Sequence, residues 1–389
     1  MAFIPLSVPN VGAEETEKVA QAVTSSWVST GGQLINDFEE AFASYLHMPR
    51  AVACNSGSSA LHLAALVSGI QRGDEVIVPT LTFIAAVNPV TRYMGAEPVF
   101  IGCDDSLCID PDAVEEFCSQ YCEMREDGLY NKSTGARVRA MVVVHVFGNM
   151  ADMERLMKIA HRYGLLVIED ATEALGTRYT QGAYEGKYAG TIGDVGCFSF
   201  NGNKIITTGA GGMVISNHPD WAEHAKHLST QAKADVLQFL HDEVGYNYRM
   251  TNLQAAMGLC QLEKLEKFIA TKEENYDHYK RALDGVRGMK ILPFREGTRS
   301  NKWFYSLYLP EGVDRDSLME ALNQRQIQTR PIWALIHQQC DYGRNAAYAL
   351  ARALDYRKRI INIPCSTNLT AEECGRVITA ILDLVPNKE

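Results

Sequence analysis

No stretch of this 389-residue chain approaches the roughly 18 uninterrupted apolar residues that a membrane-spanning helix requires. Residues 1–10 have no basic flank leading into a long apolar stretch, so no signal peptide is expected and the expected location is cytoplasmic. Positive charge is in deficit: 37 Lys and Arg against 47 Asp and Glu leave a net charge of −10. That balance argues against a nucleic-acid surface, which needs a basic face or stripe, but leaves room for an anionic small molecule in a locally positive pocket. The ten cysteines are scattered, with no C-x-x-C pair and no cysteine–histidine spacing of the zinc-site kind, so no metal is expected. Most stand in apolar surroundings and read as small buried hydrophobes in a reducing compartment. Two catalytic signatures are missing as well. Ser56 and Ser199 lack a G-x-S-x-G context, and Gly209-Ala210-Gly211-Gly212 lacks the G-x-G-x-x-G spacing and precedes a strand instead of a helix.

What is there is ordinary in bulk and specific in detail. With 46% hydrophobic and 22% charged residues the chain has a soluble globular composition, and its length makes two domains the default. From about 50 to 216, short apolar runs alternate with amphipathic segments, the mark of an α/β domain with a largely parallel sheet. Candidate strands are 51–54, 75–78, 98–101, 141–146, 165–168, 195–198 and 213–216. Helical stretches lie between them, at 59–66 and at 153–163, where Leu156, Ile159 and Ala160 form one apolar face. The polar segment 123–139 reads as a surface excursion between a helix and the next strand. From Thr251 a long helical pattern runs through Gln261, Leu262, Leu265 and Phe268 to about 283, a connector toward a smaller α+β domain at 286–389. The expected division is therefore 1–250 for the large domain and 251–389 for the connector helix and small C-terminal domain.

Ligands in such sheets bind beyond the carboxyl ends of the strands, and the polar motifs collect there. Lys204 closes the run Phe198-Ser199-Phe200-Asn201-Gly202-Asn203-Lys204 and precedes the turn Thr208-Gly209-Ala210-Gly211-Gly212. A lysine so placed is suited to forming a Schiff base with an aldehyde cofactor such as pyridoxal phosphate. Asp170 ends a strand-like run 34 positions earlier. A strand-end carboxylate can pair with a pyridinium nitrogen, although a lone Asp there is more often a turn or cap residue; Lys204 reverses those odds. The stretch from Asn55 to Ser59 opens a helix, where free amides, the helix dipole and Gly57 suit an anion, while a plain serine N-cap is the simpler account. Phe83, just past a strand, is placed either to stack on a ring or to fill the core. The loop Gly245-Tyr246-Asn247-Tyr248-Arg249-Met250 reaches a neighbouring subunit or merely leads to a helix capped by Thr251 and Asn252.

Together these residues resemble the pyridoxal-phosphate-dependent sugar aminotransferases of the DegT/DnrJ/EryC1/StrS family. The resemblance runs from Ile4 through at least Leu265, and the stretches that carry it are Trp27 to Gly32, Val144 to Asn149, Glu169 to Glu173 and Gly196 to Lys204. Within the family it is closest to the nucleotide-sugar 4-aminotransferases of the legionaminic acid and bacillosamine pathways. It implies the aspartate-aminotransferase-like fold of the type I pyridoxal enzymes, a large domain with a mainly parallel central sheet plus a smaller C-terminal α+β domain. It also implies a homodimer with active sites at the subunit interface. By position, Lys204 bonds the cofactor aldehyde, Asp170 holds the pyridine nitrogen, Phe83 stacks on the ring, and Gly57, Ser58 and Ser199 hold the phosphate. Asn247 reaches the phosphate of the partner subunit's cofactor.

Two departures stand out. Many relatives carry Gln or His where this chain has Glu173, near the cofactor's phenolic oxygen. A carboxylate facing a phenolate is repulsive unless a proton is shared, so Glu173 is expected to carry or share one. The common Thr-Gly-Glu-Gly-Gly turn has Ala210 in place of its Glu. The implied reaction moves an amino group from glutamate to a UDP-linked 2-acetamido-2,6-dideoxy-4-hexulose, with GDP- or dTDP-linked keto sugars as the alternative. Arg249 and Arg330 are candidates for substrate phosphates or the donor carboxylate, with Trp333 and His337 near the same mouth. Sugar dehydratases of the family generally replace the lysine with histidine, and a regulatory relative would have lost Lys204 or Asp170; this chain keeps both.

Overall fold

The computed structural model describes residues 2–235 and 237–386. Its centre is a ten-stranded sheet. The principal strands are β1 (Ala51–Cys54), β2 (Glu75–Pro79), β3 (Glu97–Ile101), β4 (Arg137–Val144), β5 (Leu166–Asp170), β6 (Val195–Ser199) and β7 (Gly212–Ser216), in the order β1-β7-β6-β5-β4-β2-β3. Pairing is parallel from β6 through β5, β4 and β2 to β3, whereas β7 runs antiparallel to both β6 and β1. Near-continuous apolar runs such as Ala140 to Val144 and Val76 to Val78 explain this arrangement, because parallel strands covered on both faces have no solvent side for polar residues. Since β1, β2, β5 and β6 all point the same way, their carboxyl ends share one edge.

Two expectations from the sequence are revised. Segment 123–139 is no simple surface excursion: Cys122–Arg125 pairs with Gly128–Asn131, which in turn pairs antiparallel with β4. Its exposed charges Glu123 and Arg125 mask the strand pattern, while Asn131 turns inward and donates to Glu75 Oε2 at 2.8 Å. The candidate strand 141–146 starts earlier and stops at Val144, before His145.

The connector is one helix, α1 (Asn252–Leu283), 32 residues and so about 48 Å long. It starts with a capping box in which Thr251 Oγ1 accepts the Gln254 amide and Gln254 Oε1 accepts the Thr251 amide. Beyond it, β8 (Lys290–Ile291), β9 (Tyr305–Tyr308), β10 (Arg330–Pro331) and β11 (Ile360–Ile363) form an antiparallel sheet in the order β8-β9-β11-β10. The line between 250 and 251 is crossed in both directions. Ile4 bridges to Ile327, Cys365 N–H donates to Leu6 O, and Ala347–Tyr348 adds to the edge of β3. All ten cysteines are free thiols, eight of them buried, with Cys260 half-buried and Cys340 exposed. Among the described residues, no helix is long and apolar enough to cross a membrane.

Candidate active site

The carboxyl edge of the large sheet gathers the polar motifs around a cavity of about 300 Å³. At the end of β1, Ser56 is extended and its side chain accepts the Ser59 amide at 3.1 Å, starting the helix Gly57–Val67. The amides of that first turn lie at the cavity wall with Ser58. Gly57 is required by closeness: a Cβ there would sit 2.8 Å from the Cβ of Ser199 at the end of β6. The simple N-cap account of Ser56 and an anion seat at Gly57 and Ser58 are thus compatible, since the cap uses the Ser59 amide.

Asp170 closes β5, 3% exposed, and its Oδ1 accepts the Thr172 amide at 3.0 Å. Burial raises its pKa, with the Thr172 hydrogen bonds, Lys204 and His145 acting the other way. Glu173 follows on the turn, 4% exposed; its Oε2 accepts the Phe147 amide at 2.8 Å and its Oε1 lies 3.8 Å from Lys204 Nζ. Burial pushes its pKa up to about 7, against the pull of Lys204 and the Phe147 amide. This carboxyl is therefore only partly ionised near neutrality. Phe147 presents its amide from a left-handed conformation (φ 56°).

Lys204 itself sits in a turn, its N–H donating to Asn201 O at 3.0 Å, with Nζ 4.4 Å from the centre of the Trp303 ring. Phe83 is 56% exposed and lines the same cavity, which removes the core-filling account of it. One cavity thus brings together Gly57, Ser58, Phe83, Asp170, Glu173, Ser199 and Lys204. Three candidates lie elsewhere. Asn247 is exposed, its carbonyl accepting from Asn55 Nδ2 at 3.3 Å; Arg249 bridges by backbone to Cys54; and Arg330 is exposed on β10. Trp333 lines the cavity, whereas His337 is engaged with Thr80 Oγ1 at 2.6 Å and does not.

Two features lay outside the sequence reading. Trp303 and Phe304 wall the cavity from the small domain, and their only sequence signal is aromatic character about a hundred positions from Lys204. His145, whose only sequence signal is the family resemblance of its stretch, is fully buried behind the site. Its Nδ1 accepts the Ala151 amide, so Nε2 carries the proton and donates to Glu169 Oε2 at 2.8 Å. Glu169 also receives the amides of Gly190, Ile192 and Gly193, which fixes the strand end that presents Asp170. At the surface, His227, Asp242 and Glu243 bring ligand atoms within 4.8 Å of one another, but none of them lines the cavity.

A buried acid at a strand end, a lysine amine and a helix start stripped bare by glycine fit a group bearing a basic ring nitrogen, an aldehyde and a phosphate. Together with the sheet order, they define a pyridoxal-phosphate enzyme of the aminotransferase fold. The chain belongs to the DegT/DnrJ/EryC1/StrS aminotransferase family, whose model matches residues 9–382. It is a pyridoxal-phosphate-dependent sugar aminotransferase. It is similar to GDP-perosamine synthase of Escherichia coli O157:H7, 36% identical over 100% of both chains. It is also similar to EpsN of Bacillus subtilis (strain 168), which bears the name of a pyridoxal phosphate-dependent aminotransferase, 35% identical over 98% of this chain and 95% of EpsN. Among solved structures, DesV of S. venezuelae superposes with a TM-score of 0.87 at 28% identity over 100% of both chains. PseC of Helicobacter pylori, an aminotransferase of pseudoaminic acid biosynthesis, superposes with 0.87 at 25% identity over 98% of this chain and 99% of PseC.

Proposed function

We propose that this enzyme moves an amino group from glutamate to the C4 keto carbon of a nucleotide-linked 4-keto-6-deoxy sugar, with UDP-2-acetamido-2,6-dideoxy-4-hexulose as the acceptor. The observation that carries the reading is the meeting of Lys204, Asp170 and Glu173 in one cavity walled by Phe83, Phe304 and Trp333. A second reading, a GDP-linked 4-keto sugar, is favoured by the 36% identity to GDP-perosamine synthase.

When bound, pyridoxal phosphate supplies an electron sink for the carbanion formed as the amino group changes hands. Asp170 holds the proton of the ring nitrogen and thereby keeps that sink electron-poor. The Lys204 amine carries the proton between the substrate carbon and the amino-bearing carbon, general acid–base work that contributes about 10²–10⁴-fold. Glu173, with a pKa near 7, shares its proton with the phenolic oxygen beside it. The first-turn amides at Gly57 and Ser58, with Ser199, receive the phosphate, and Phe83 covers the ring. Asn247 reaches the phosphate in the partner subunit of a homodimer, in keeping with its exposure and its absence from its own cavity.

The test has two arms. Purified protein given pyridoxal phosphate should show a visible band that borohydride fixes to Lys204 by peptide mass, and Lys204→Ala should lack it; its persistence in the variant overturns the central assignment. Incubation with glutamate and UDP-, GDP- or dTDP-linked 4-keto-6-deoxy sugars, read by 2-oxoglutarate release and product NMR, should select the UDP compound. Selection of the GDP compound replaces the first reading with the second.

A further inference from the structure

The connector helix α1 buries a lysine that the chemistry above does not use. Lys272 is 2% exposed, yet no carboxylate pairs with it among the described residues. Its ammonium donates instead to two backbone carbonyls, Trp303 O at 2.9 Å and Cys365 O at 2.6 Å. Burial lowers its pKa, as expected for a cation taken out of water with only neutral acceptors. An apolar side chain of the same length would fill the space without that penalty. What the lysine adds is directional: it fixes the orientation of two peptide groups.

Those two carbonyls flank the paired strands of the small sheet. Trp303 lies two residues before β9, Cys365 two residues beyond β11, and β9 and β11 pair through Tyr305 and Ile363. Tyr305 returns the contact, its hydroxyl donating to Lys272 O at 2.8 Å. Trp303 is also held through the preceding peptide, whose N–H on Trp303 donates to Asn301 Oδ1 at 3.0 Å. Its indole N–H donates to Asn203 O at 2.8 Å, next to Lys204 in the chain, and its ring faces Lys204 Nζ at 4.4 Å. Phe304 stacks on Trp303 with ring centres 4.0 Å apart.

We propose that Lys272 is a positioning residue of the active site: by clamping the Trp303 carbonyl it sets the indole face against Lys204, coupling connector helix and small sheet to the amine that moves the proton. An aromatic face attracts a cation and leaves a neutral amine alone. The amine is held between that face and the Glu173 carboxyl 3.8 Å away. If the clamp is lost, the peptide between residues 303 and 304 keeps only the long contacts from Phe304 N–H to Phe147 O and from Cys365 Sγ to Trp303 O, both 3.4 Å, and the indole is held less firmly beside Asn203.

The inference rests on the pyridoxal reading, and a wild-type visible band that titrates with pH secures that reading before any variant is judged. Lys272→Met should move the midpoint of this titration down by about half a pH unit, a threefold change in proton affinity of the size a cation–π contact supplies. It should lower kcat by about tenfold with KM within about twofold, the pattern of a misplaced catalytic group. In the cofactor-free protein, Trp303→Phe identifies the near-ultraviolet circular dichroism of the stacked indole, and Lys272→Met should lose that same signal. Trp303→Phe should shift the titration in the same direction, and the double variant should shift it no further than the larger single one. A Lys272→Met protein that melts lower but keeps the wild-type titration and kcat is merely short of a strut, and the proposal falls. It falls equally if Trp303→Phe leaves the titration unmoved or if the two shifts add. Should Lys272→Met not fold, Lys272→Gln, which keeps a neutral NH2 donor, takes its place in the cycle and should give a smaller shift in the same direction; no shift overturns the proposal.

Discussion

A carboxyl group that is 4% exposed and receives one backbone amide, as Glu173 does, is held at a pKa of about 7 against 4.5 for the free side chain. In the cofactor-free protein the folded state therefore binds more protons than the unfolded state between those two values. Stability from this group is fully present below about pH 4.5 and is lost as pH rises through about 7. The loss amounts to at most about 3.5 kcal/mol, since each tenfold change in proton affinity is worth about 1.4 kcal/mol. Glu173→Gln removes the titration and keeps the shape. Melting of the cofactor-free variant should fall less steeply than wild type between pH 5 and 8, with the gap widening in the variant's favour toward pH 8. Parallel melting profiles would show that Glu173 is ionised in the folded chain. Glu173, Asp170 and Lys204 were all legible in the sequence because they sit in contiguous stretches at strand ends. Trp303, which touches the same amine, was not, because nothing local distinguishes an aromatic that walls a cavity from one that fills a core.

At the scale of elements, the strands were readable where both faces are buried and the apolar run is continuous, as at Val76 to Val78. The hairpin of Cys122–Arg125 and Gly128–Asn131 was not, because its outer face is charged and its inward Asn131 serves Glu75. The start of the connector helix shows how one motif divides between two duties. Thr251 is the N-cap, while the neighbouring Asn252, 2% exposed, spends its side chain on Trp27 O at 2.7 Å and its amide on Ser29 O at 2.7 Å. Gly32, at φ +147°, lets the stretch Trp27 to Gly32 lie this close, since a Cβ there would sit 2.4 Å from Asn252 Oδ1. Thr251→Ala should therefore cost about 1 kcal/mol, the usual worth of a cap, in denaturant unfolding, and should leave the visible band of the loaded enzyme unchanged. A change in that band would mean that the cap also shapes the site through the loop ahead of it.

At the scale of the whole molecule, the hairpin of Lys233–Asp235 and Leu240–His241 leaves Leu237 87% and Phe239 72% exposed, with Val244 79% exposed three residues beyond it, a cluster of exposed apolar residues along the sequence of a chain of net charge −10. The chain runs from this cluster straight into Tyr246, Asn247 and Tyr248. That base is pinned to its own subunit, with Tyr248 OH 3.0 Å from His62 Nδ1 and the Tyr246 ring 5.0 Å from the His62 ring. A partner covering the apolar cluster would thus meet Asn247 at a fixed position, as the proposed homodimer needs. The two ends of this surface separate in mutation. Phe239→Asp puts a charge among these exposed apolar residues, and for the proposed homodimer light scattering should show a shift from dimer toward monomer with loss of bound cofactor on dilution. Asn247→Asp leaves the cluster intact and sets a carboxylate against a phosphate, so the dimer should persist while pyridoxal phosphate is held about tenfold more weakly, as juxtaposed like charges require. If Asn247→Asp retains cofactor as wild type does, the cross-subunit contact is wrong even where the dimer is right; if Phe239→Asp stays dimeric, the subunits meet through another face.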